Sequence, residues 1–265
     1  MLLIGESING SIASVGKAIL SRNADFICQL AREQQTSGAD ILDINAGVPE
    51  GAEATDLPWL VHAVQGVVDL PLMLDSVNTG ALDRALSVCR GRPIINSLSG
   101  ERLRLESVLP LVGRHHCQIV IICLDDKGIP PNPEGRLEVA IKVTEQAIQS
   151  GLEMSDIYLD PVILAIGTDW QAAKVSLETL RLLKERLPQA RSVLGISNVS
   201  FGMPRRRLLN ATFLAMAMGH GLDAAILDVR NRSLMAVVRS AGLLAGKDPL
   251  GRAYLRAYRN GLLAG

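Results

Sequence analysis

The sequence predicts an α/β fold, a single (β/α)8 TIM barrel formed by residues 1–265. Three observations predict it: eight short apolar runs, amphipathic segments in the gaps between them, and glycines where several of those segments end. Strands that alternate with helices pair in parallel through crossover connections. The eight predicted strands are Leu2 to Gly5, Ile41 to Asn45, Pro71 to Asp75, Pro93 to Asn96, Gln118 to Cys123, Ile157 to Asp160, Ser192 to Ser197 and Ala224 to Asp228.

The segments between the runs have helical periodicity. From Ala24 to Ser37 the apolar residues share one face and the polar residues the other, which predicts an amphipathic helix. Gly38 ends this helix, and Gly151 and Gly221 end two later helices. Glycine is suited to these positions because it adopts the left-handed conformation at low cost.

Three further residues predict helix boundaries in the second half of the chain. Asn210 or Thr212 can cap the helix after the seventh strand, and Ser233 can cap the helix after the eighth. Residues 247–265 alternate arginines with leucines and tyrosines, so we expect a final amphipathic helix there.

The composition is typical of one compact soluble domain. Hydrophobic residues make up 48% of the 265, and 27 Lys and Arg balance 27 Asp and Glu. A neutral chain lacks the clustered basic charge that nucleic acids and acidic membranes require, so we expect neither partner. The four cysteines contain no C-x-x-C pair, which favours reduced thiols and a cytoplasmic location.

Polar side chains follow every predicted strand. The carboxyl ends of the strands form the active site in barrels of this kind. No histidine or lysine lies there, which argues against Schiff-base or imidazole chemistry. The residues at these ends are Glu6, Asn9, Asp43, Asn45, Asp75, Ser76, Asn78, Asn96, Ser97, Asp125, Asp126, Asp160, Ser197, Asn198 and Asp228.

Metal binding is an alternative use of these carboxylates. The histidines His62, His115, His116 and His220 lack the spacing of a metal motif, so we expect no directly bound metal. An all-oxygen Mg²⁺ site remains open, because Mg²⁺ prefers carboxylates and water. Its ligands would be Asp43, Asp75, Asp160 and Asp228.

A ring of Asp and Asn also suits a flat heterocycle such as an aminopyrimidinone. Asp accepts hydrogen bonds from ring and exocyclic N–H groups, and Asn both donates and accepts. Structural roles are the alternatives. Asp75 can cap the next helix, Asp160 can shape the turn before Pro161, and Asn96 can satisfy loop backbone.

Six segments together resemble one family. They are Gly5 to Gly10 (GESING), Leu42 to Gly47 (LDINAG), Leu74 to Asn78 (LDSVN), Ile95 to Ser97 (INS), Tyr158 to Pro161 (YLDP) and Gly195 to Ser200 (GISNVS). This set resembles the pterin-binding family, and within it the methyltetrahydrofolate:corrinoid protein methyltransferases, related to the folate module of cobalamin-dependent methionine synthase. The resemblance implies a (β/α)8 barrel, usually a homodimer, with 5-methyltetrahydrofolate or tetrahydrofolate as substrate.

The resemblance also implies roles for individual residues. Asp75, Asn96 and Asp160 match positions that bind the aminopyrimidine side of the pterin. Asn198 matches the side chain beside N5, the atom that carries the methyl group, and is the expected catalytic residue. Arg206 matches a basic residue of the loop after the seventh strand, and Gly221, Leu222 and Asp223 match a stretch that approaches the corrinoid. We expect Glu6, Asp43 and Ser197, which also lie at strand ends, to join the substrate site.

Two features depart from the family pattern. Phe201 stands where relatives can have a polar side chain, and Arg206 lies in a run, Arg205 to Arg207, so the arginine that reaches the ligand is open. The sequence has no D-x-H-x-x-G segment, so we expect the corrinoid (cobalamin) on a separate protein. The direction of transfer and the upstream methyl donor are open.

Two other functions are alternatives. Dihydropteroate synthase would need a lysine after the seventh strand, and Ser192 to Met203 contain none. The other alternative is a folate-binding or corrinoid-protein-binding module without turnover.

Overall fold

In the computed structural model, which describes residues 1–48 and 51–263, eight parallel strands close into a barrel. Consecutive strands pair from first to last, and the first strand closes the ring by pairing with the eighth. The strands are β1 (Leu2–Asn9), β2 (Ile41–Asn45), β3 (Leu72–Asp75), β4 (Ile94–Gly100), β5 (Gln118–Asp125), β6 (Ile157–Asp160), β7 (Arg191–Gly195) and β8 (Ala224–Leu227). The predicted (β/α)8 barrel is confirmed.

Ten α-helices in the described residues surround the barrel. They are α1 (Ala13–Leu20), α2 (Ala24–Thr36), α3 (Glu53–Gln65), α4 (Thr79–Val88), α5 (Arg102–His115), α6 (Pro133–Gln149), α7 (Ala172–Arg186), α8 (Arg206–Gly219), α9 (Arg232–Leu244) and α10 (Arg252–Arg259). Gly38, Gly151 and Gly221 follow α2, α6 and α8 with φ of +98°, +99° and +90°. These three predicted helix ends are confirmed.

Three predicted helix boundaries are wrong. Helix α8 begins at Arg206, so Asn210 and Thr212 lie inside it rather than capping it. Asn231, not Ser233, caps α9, because its side chain accepts hydrogen bonds from the backbone N–H groups of Ser233 and Leu234. The final helix is shorter than the predicted 247–265 segment: α10 ends at Arg259, and residues 264 and 265 lie outside the described part.

A layer of apolar side chains fills the barrel interior. Each strand contributes one buried residue to it: Ile4, Ile41, Met73, Ile94, Val120, Tyr158, Val193 and Ala224. The larger core lies between the strands and the helices and includes Leu42, Leu74 and Leu194. Since side chains alternate between the two faces of a strand, a residue two positions after each member of the inner layer also points into the barrel, nearer its carboxyl end.

Candidate active site in the barrel mouth

The next inward layer changes from apolar to polar. Two positions after the inner layer lie Glu6, Asp43, Asp75, Asn96, Ile122, Asp160, Gly195 and Ile226. Five of these eight are acids or amides, and all five line a cavity of about 670 Å³ in the barrel mouth. The apolar layer closes the floor of this cavity. The strand period therefore explains why these strand-end residues, and not their neighbours, point into the site.

Two hydrogen bonds, each between an amide and an acid, connect β2 to β3 and β2 to β4. Asn45 donates a hydrogen bond from Nδ2 to Asp75 Oδ2 at 3.0 Å, and Asn96 Nδ2 donates to Asp43 Oδ1 at 3.3 Å. Burial, together with the charge of neighbouring Asp75, raises the pKa of Asp43 well above its ordinary value. Burial also raises the pKa of Asp75. Both carboxyls are thus oriented, and both are more easily protonated than a carboxyl in water.

Of the structural roles that the sequence allowed for Asp75, Asn96 and Asp160, the structure shows only one. Asn78, not Asp75, caps α4, since Asn78 Oδ1 accepts a hydrogen bond from Ala81 N at 3.1 Å. Asn96 pairs with a side chain, Asp43, rather than with loop backbone. Only Asp160 has the predicted turn role, because its Oδ1 accepts a hydrogen bond from Val162 N at 2.8 Å.

Asp160 is held by the loop that follows it. The next residue but one, Val162, has φ of +62°, and its carbonyl accepts a hydrogen bond of 2.7 Å from buried Arg136. The same guanidinium donates to the carbonyls of Pro130 and Pro161, both at 2.9 Å. Burial raises the pKa of Asp160 to about 6. Arg136 therefore fixes the loops after β5 and β6 around this carboxyl.

The segment after β7 contributes Ser197 and Asn198. Ser197 donates a hydrogen bond of 2.7 Å to Glu6 Oε1, and the side chain of Asn198 lines the cavity. Burial is the main cause that raises the pKa of Glu6, and the negative charge of Asp228 adds to it. Gly195 has no side chain to obstruct this arrangement: a Cβ there would lie 3.3 Å from Asn198 Nδ2.

The three consecutive arginines are not equivalent. Arg206 donates to the Ser197 carbonyl at 2.8 Å and to Ser200 Oγ at 3.1 Å, and its guanidinium lies 5.9 Å from the centre of the Phe201 ring. Arg206 and Arg207 both line the cavity with Phe201. Arg205 instead precedes α8 with φ of +50°.

Several residues of this cavity were not predicted as substrate-binding. Arg207 and Asn210 enter from α8, and Ser11 and Ile12 from the segment after β1. Asn210 is buried with Phe213, Leu214 and Ala217 on the inner face of α8. A polar residue at a helical spacing of three, four and seven from apolar ones is the sequence signal that could have identified it.

The predicted corrinoid-facing residues lie at the other end of the barrel. Gly221, Leu222 and Asp223 precede β8, and a strand's amino end points away from the mouth. Asp223 accepts hydrogen bonds there from Lys184 Nζ at 2.7 Å and from Ser192 N at 2.8 Å, and Leu222 is buried. The structure thus places these three residues away from the mouth cavity, and their approach to the corrinoid stays a prediction.

The alternative Mg²⁺ site is not formed. Within residues 1–48 and 51–263, no three His, Cys, Asp or Glu side chains group as ligands of one metal ion. Asp228 instead accepts hydrogen bonds from Ser7 Oγ at 3.3 Å and from Arg230 Nε at 3.1 Å.

No helix within residues 1–48 and 51–263 is both long enough and apolar enough to cross a lipid bilayer.

A larger groove, of about 840 Å³, lies along α2 on the outside of the barrel. Its lining includes Glu33 and Arg230, which already pair with each other at 3.4 Å. None of the five inward acids and amides lies in it. The mouth cavity, where those five side chains converge, is the candidate active site.

Known proteins match the chain over most of its length. A family model described as pterin binding enzyme matches residues 7–228. A methylcorrinoid:tetrahydrofolate methyltransferase from Eubacterium limosum is 32% identical over 263 residues, which cover 98% of this chain and 97% of that protein. Methionine synthase from Mycobacterium leprae is 29% identical over 239 residues, 85% of this chain but only 20% of that protein.

A solved structure has the same fold. It is a dihydropteroate synthase from Clostridium difficile with pteroic acid, with a TM-score of 0.70 and 19% identity over 92% of this chain and 96% of that one. At that identity the likeness concerns the fold alone. The resemblance predicted from the six segments is confirmed by the family match and the relatives. This chain belongs to the pterin-binding enzyme family, among its methyltransferases.

Proposed function

We propose that this enzyme transfers a methyl group between N5 of methyltetrahydrofolate and the cobalt of a corrinoid that a separate protein carries. The observation that carries the proposal is the convergence of Asp75, Asn96, Asp160 and Asn198 in one cavity. A relative of nearly equal length that is named for both tetrahydrofolate and a methylcorrinoid supports it. The transfer can run in either direction.

The aminopyrimidine ring would bind against β3, β4 and β6. Its amino group and ring N–H groups are donors, and the carboxyl oxygens of Asp75 and Asp160 are matching acceptors. The Asn96 amide can pair with a ring nitrogen or carbonyl, and Asp43 orients that amide. Removing one member of such a buried set leaves its partner without a hydrogen bond, so these residues set specificity for a pterin.

The reaction is a displacement at the methyl carbon. The bond from N5 to the methyl carbon breaks and its electron pair stays on N5, while Co(I) supplies the electron pair of the new bond from cobalt to carbon. A tertiary amine leaves poorly unless N5 gains a proton or a strong hydrogen bond. One proton taken up from solvent by N5 makes the product a neutral secondary amine. The reverse direction returns that proton as the methyl group arrives.

Asn198 is the residue we assign to N5. Its amide can present either N–H or C=O as the charge on N5 changes, and it does so without titrating. Its backbone carbonyl accepts a hydrogen bond from Phe201 N at 3.2 Å, which holds the segment while the side chain remains exposed to the cavity. Glu6 and Ser197 line the same cavity and are hydrogen-bonded to each other, and we assign both to the substrate site.

Arg206 is assigned a contact with the folate tail or with the corrinoid protein at the rim. The corrinoid would approach from the open mouth, since the apolar layer closes the barrel below the polar residues. A weak and transient interface fits a carrier that must also visit another enzyme. We further propose that the enzyme works in the cytoplasm as a homodimer.

The test is a visible-spectrum assay of the protein with 5-methyltetrahydrofolate and Co(I) cobalamin under anaerobic, reducing conditions. We expect the Co(I) band to disappear as methylcobalamin forms, with a rate about tenfold or more lower in Asn198→Ala. The control Asn260→Ala, which changes an amide after α10, should react at the wild-type rate.

A Co(I) band that persists with both free cobalamin and a corrinoid protein would contradict the proposal. Condensation of p-aminobenzoate with a pterin diphosphate would instead identify a dihydropteroate synthase.

A further inference from the structure

One buried polar atom in the mouth has no partner. Asn210 lies on the inner face of α8, is only 8% exposed and lines the same cavity as Asn198. Among the residues that the structure describes, none forms a hydrogen bond with its side-chain oxygen, Oδ1. Most buried side-chain polar atoms in proteins are paired, so this exception requires a reason.

A buried amide oxygen without a hydrogen bond lowers stability, because it has lost water and gained nothing. A leucine of similar size would join Phe213, Leu214 and Ala217 among the buried apolar residues of α8 without leaving an oxygen unpaired. Asn210 lowers stability and also lines a binding cavity, and both facts are explained if its oxygen accepts a hydrogen bond from an N–H group of the ligand. Because Oδ1 itself is buried in the unliganded structure, the Asn210 amide must turn about its Cβ–Cγ bond to bring the oxygen to the cavity. The ligand must then present a donor on the α8 side of the mouth.

The topology defines that side. Helix α8 follows β7, and β7 lies four strands away from β3 in the closed ring, so Asn210 enters opposite Asp75. It shares this side of the mouth with Asn198 and Arg206, which also follow β7. The inference rests on the proposed function, in which the aminopyrimidine ring lies against β3 and β4 and N5 lies at Asn198.

A reduced folate then leaves one candidate donor, because the N5–H of tetrahydrofolate is assigned to Asn198 and the glutamyl amide N–H lies beyond the benzoyl ring. The N–H groups of the pyrimidine ring point to the carboxyls of β3 and β6. The N8–H group lies across the second ring from N5. Carbon C6 is bonded to N5, and its substituent leads directly to the secondary amine N10–H of the aminobenzoyl group. We propose that Asn210 Oδ1 accepts the N10–H hydrogen bond and so selects a folate over a bare pterin.

The experiment compares two ligands by calorimetry: tetrahydrofolate and 6-methyltetrahydropterin, which has the ring but no N10. In Asn210→Leu we expect tetrahydrofolate to bind about five- to tenfold more weakly, as for one lost hydrogen bond, and the pterin to bind within about twofold of wild type. The unliganded variant should unfold at the wild-type temperature or above it, because a buried unpaired group is gone. Asn210→Ala, which is smaller, repeats the comparison if leucine does not fit.

Thr212→Val on the same helix is the matched control, since its hydroxyl bonds only to the Leu208 carbonyl in the described residues, at 2.9 Å. It should change neither affinity. Equal weakening of both ligands in the Asn210 variants, or no weakening of either, would overturn the inference and leave the proposed function intact. A wild-type protein that binds neither ligand would overturn both.

Discussion

Ser197 and Glu6 join two strands that are not neighbours: the Ser197 hydroxyl, after β7, donates a hydrogen bond of 2.7 Å to the Glu6 carboxylate on β1. Strand β8 lies between them in the ring. The bond holds the residue that precedes Asn198 against β1, two strands away around the mouth. It therefore links the position of the proposed catalytic amide to the closure of the barrel.

Removing the hydrogen bond between Ser197 and Glu6 should lower the free energy of unfolding, and the effects of changing the two residues should not be additive. Ser197→Ala leaves the half-buried Glu6 carboxyl without its donor, so we expect the free energy of unfolding to fall by about 1 kcal/mol. A double-mutant cycle with Glu6→Ala, which removes the acceptor, should give a coupling energy of about 1 kcal/mol when measured by denaturant unfolding. Ser11→Ala removes an exposed hydroxyl of the same mouth and should change stability by about 0.5 kcal/mol or less. Strictly additive losses would contradict the coupling.

Asp160 should make stability depend on pH. Burial raises its pKa in the folded protein to about 6, from an ordinary 3.8. The folded protein thus binds more protons than the unfolded chain between these values, so the contribution of Asp160 is full below about pH 4 and is lost as the pH rises through about 6. Asp160→Asn keeps the acceptor for Val162 N but cannot ionise. We expect this variant to be more stable than wild type at pH 8, by about 1–3 kcal/mol.

The measurement is denaturant unfolding of both proteins from pH 4 to pH 8. The stability difference between them should grow across this range, while exposed Asp69→Asn should follow the wild-type profile. A difference that stays constant with pH would show that the Asp160 carboxyl does not titrate in this window.

Arg136, a buried residue of α6, should contribute strongly to stability through the loops that it holds. Its guanidinium supplies the donors for the carbonyls of Pro130, Pro161 and Val162. Arg136→Met would leave these carbonyls without partners, and we expect a loss of about 2–4 kcal/mol in the free energy of unfolding. Arg256→Met on the exposed face of α10 should cost about 0.5 kcal/mol or less. Equal effects of the two substitutions would refute the bracing role of Arg136.

Arg206 and Arg205 should differ in catalysis despite their adjacency. Arg206 holds the Ser197 carbonyl and Ser200 Oγ, so Arg206→Ala would release the segment that carries Asn198. We expect kcat/KM for methyl transfer to fall about tenfold or more. Arg206→Lys should recover only part of it, because an ammonium lacks the fixed fork of a guanidinium. Arg205→Ala is the control, and a comparable loss there would contradict the assignment.

Most of the fold could be predicted from local signals. Each strand needs only a short apolar run, and each helix end at Gly38, Gly151 and Gly221 needs only a glycine with positive φ. These preferences act within a few residues and are therefore visible in the sequence. The start of α8 at Arg206 and the cap of α9 at Asn231 were missed because competing cap residues lie close by, and packing selects among them.

The sequence by itself determined the barrel, the family and the set of acids and amides at the carboxyl ends of the strands, because strand order and strand ends follow from runs along the chain. Only the tertiary structure decided which of them converge. Closure of the ring places Glu6 beside Ser197, buries Asn210 in the cavity and leaves Asp223 at the far end with Lys184. Those distances depend on packing between residues far apart in the chain, which periodicity within one element does not encode.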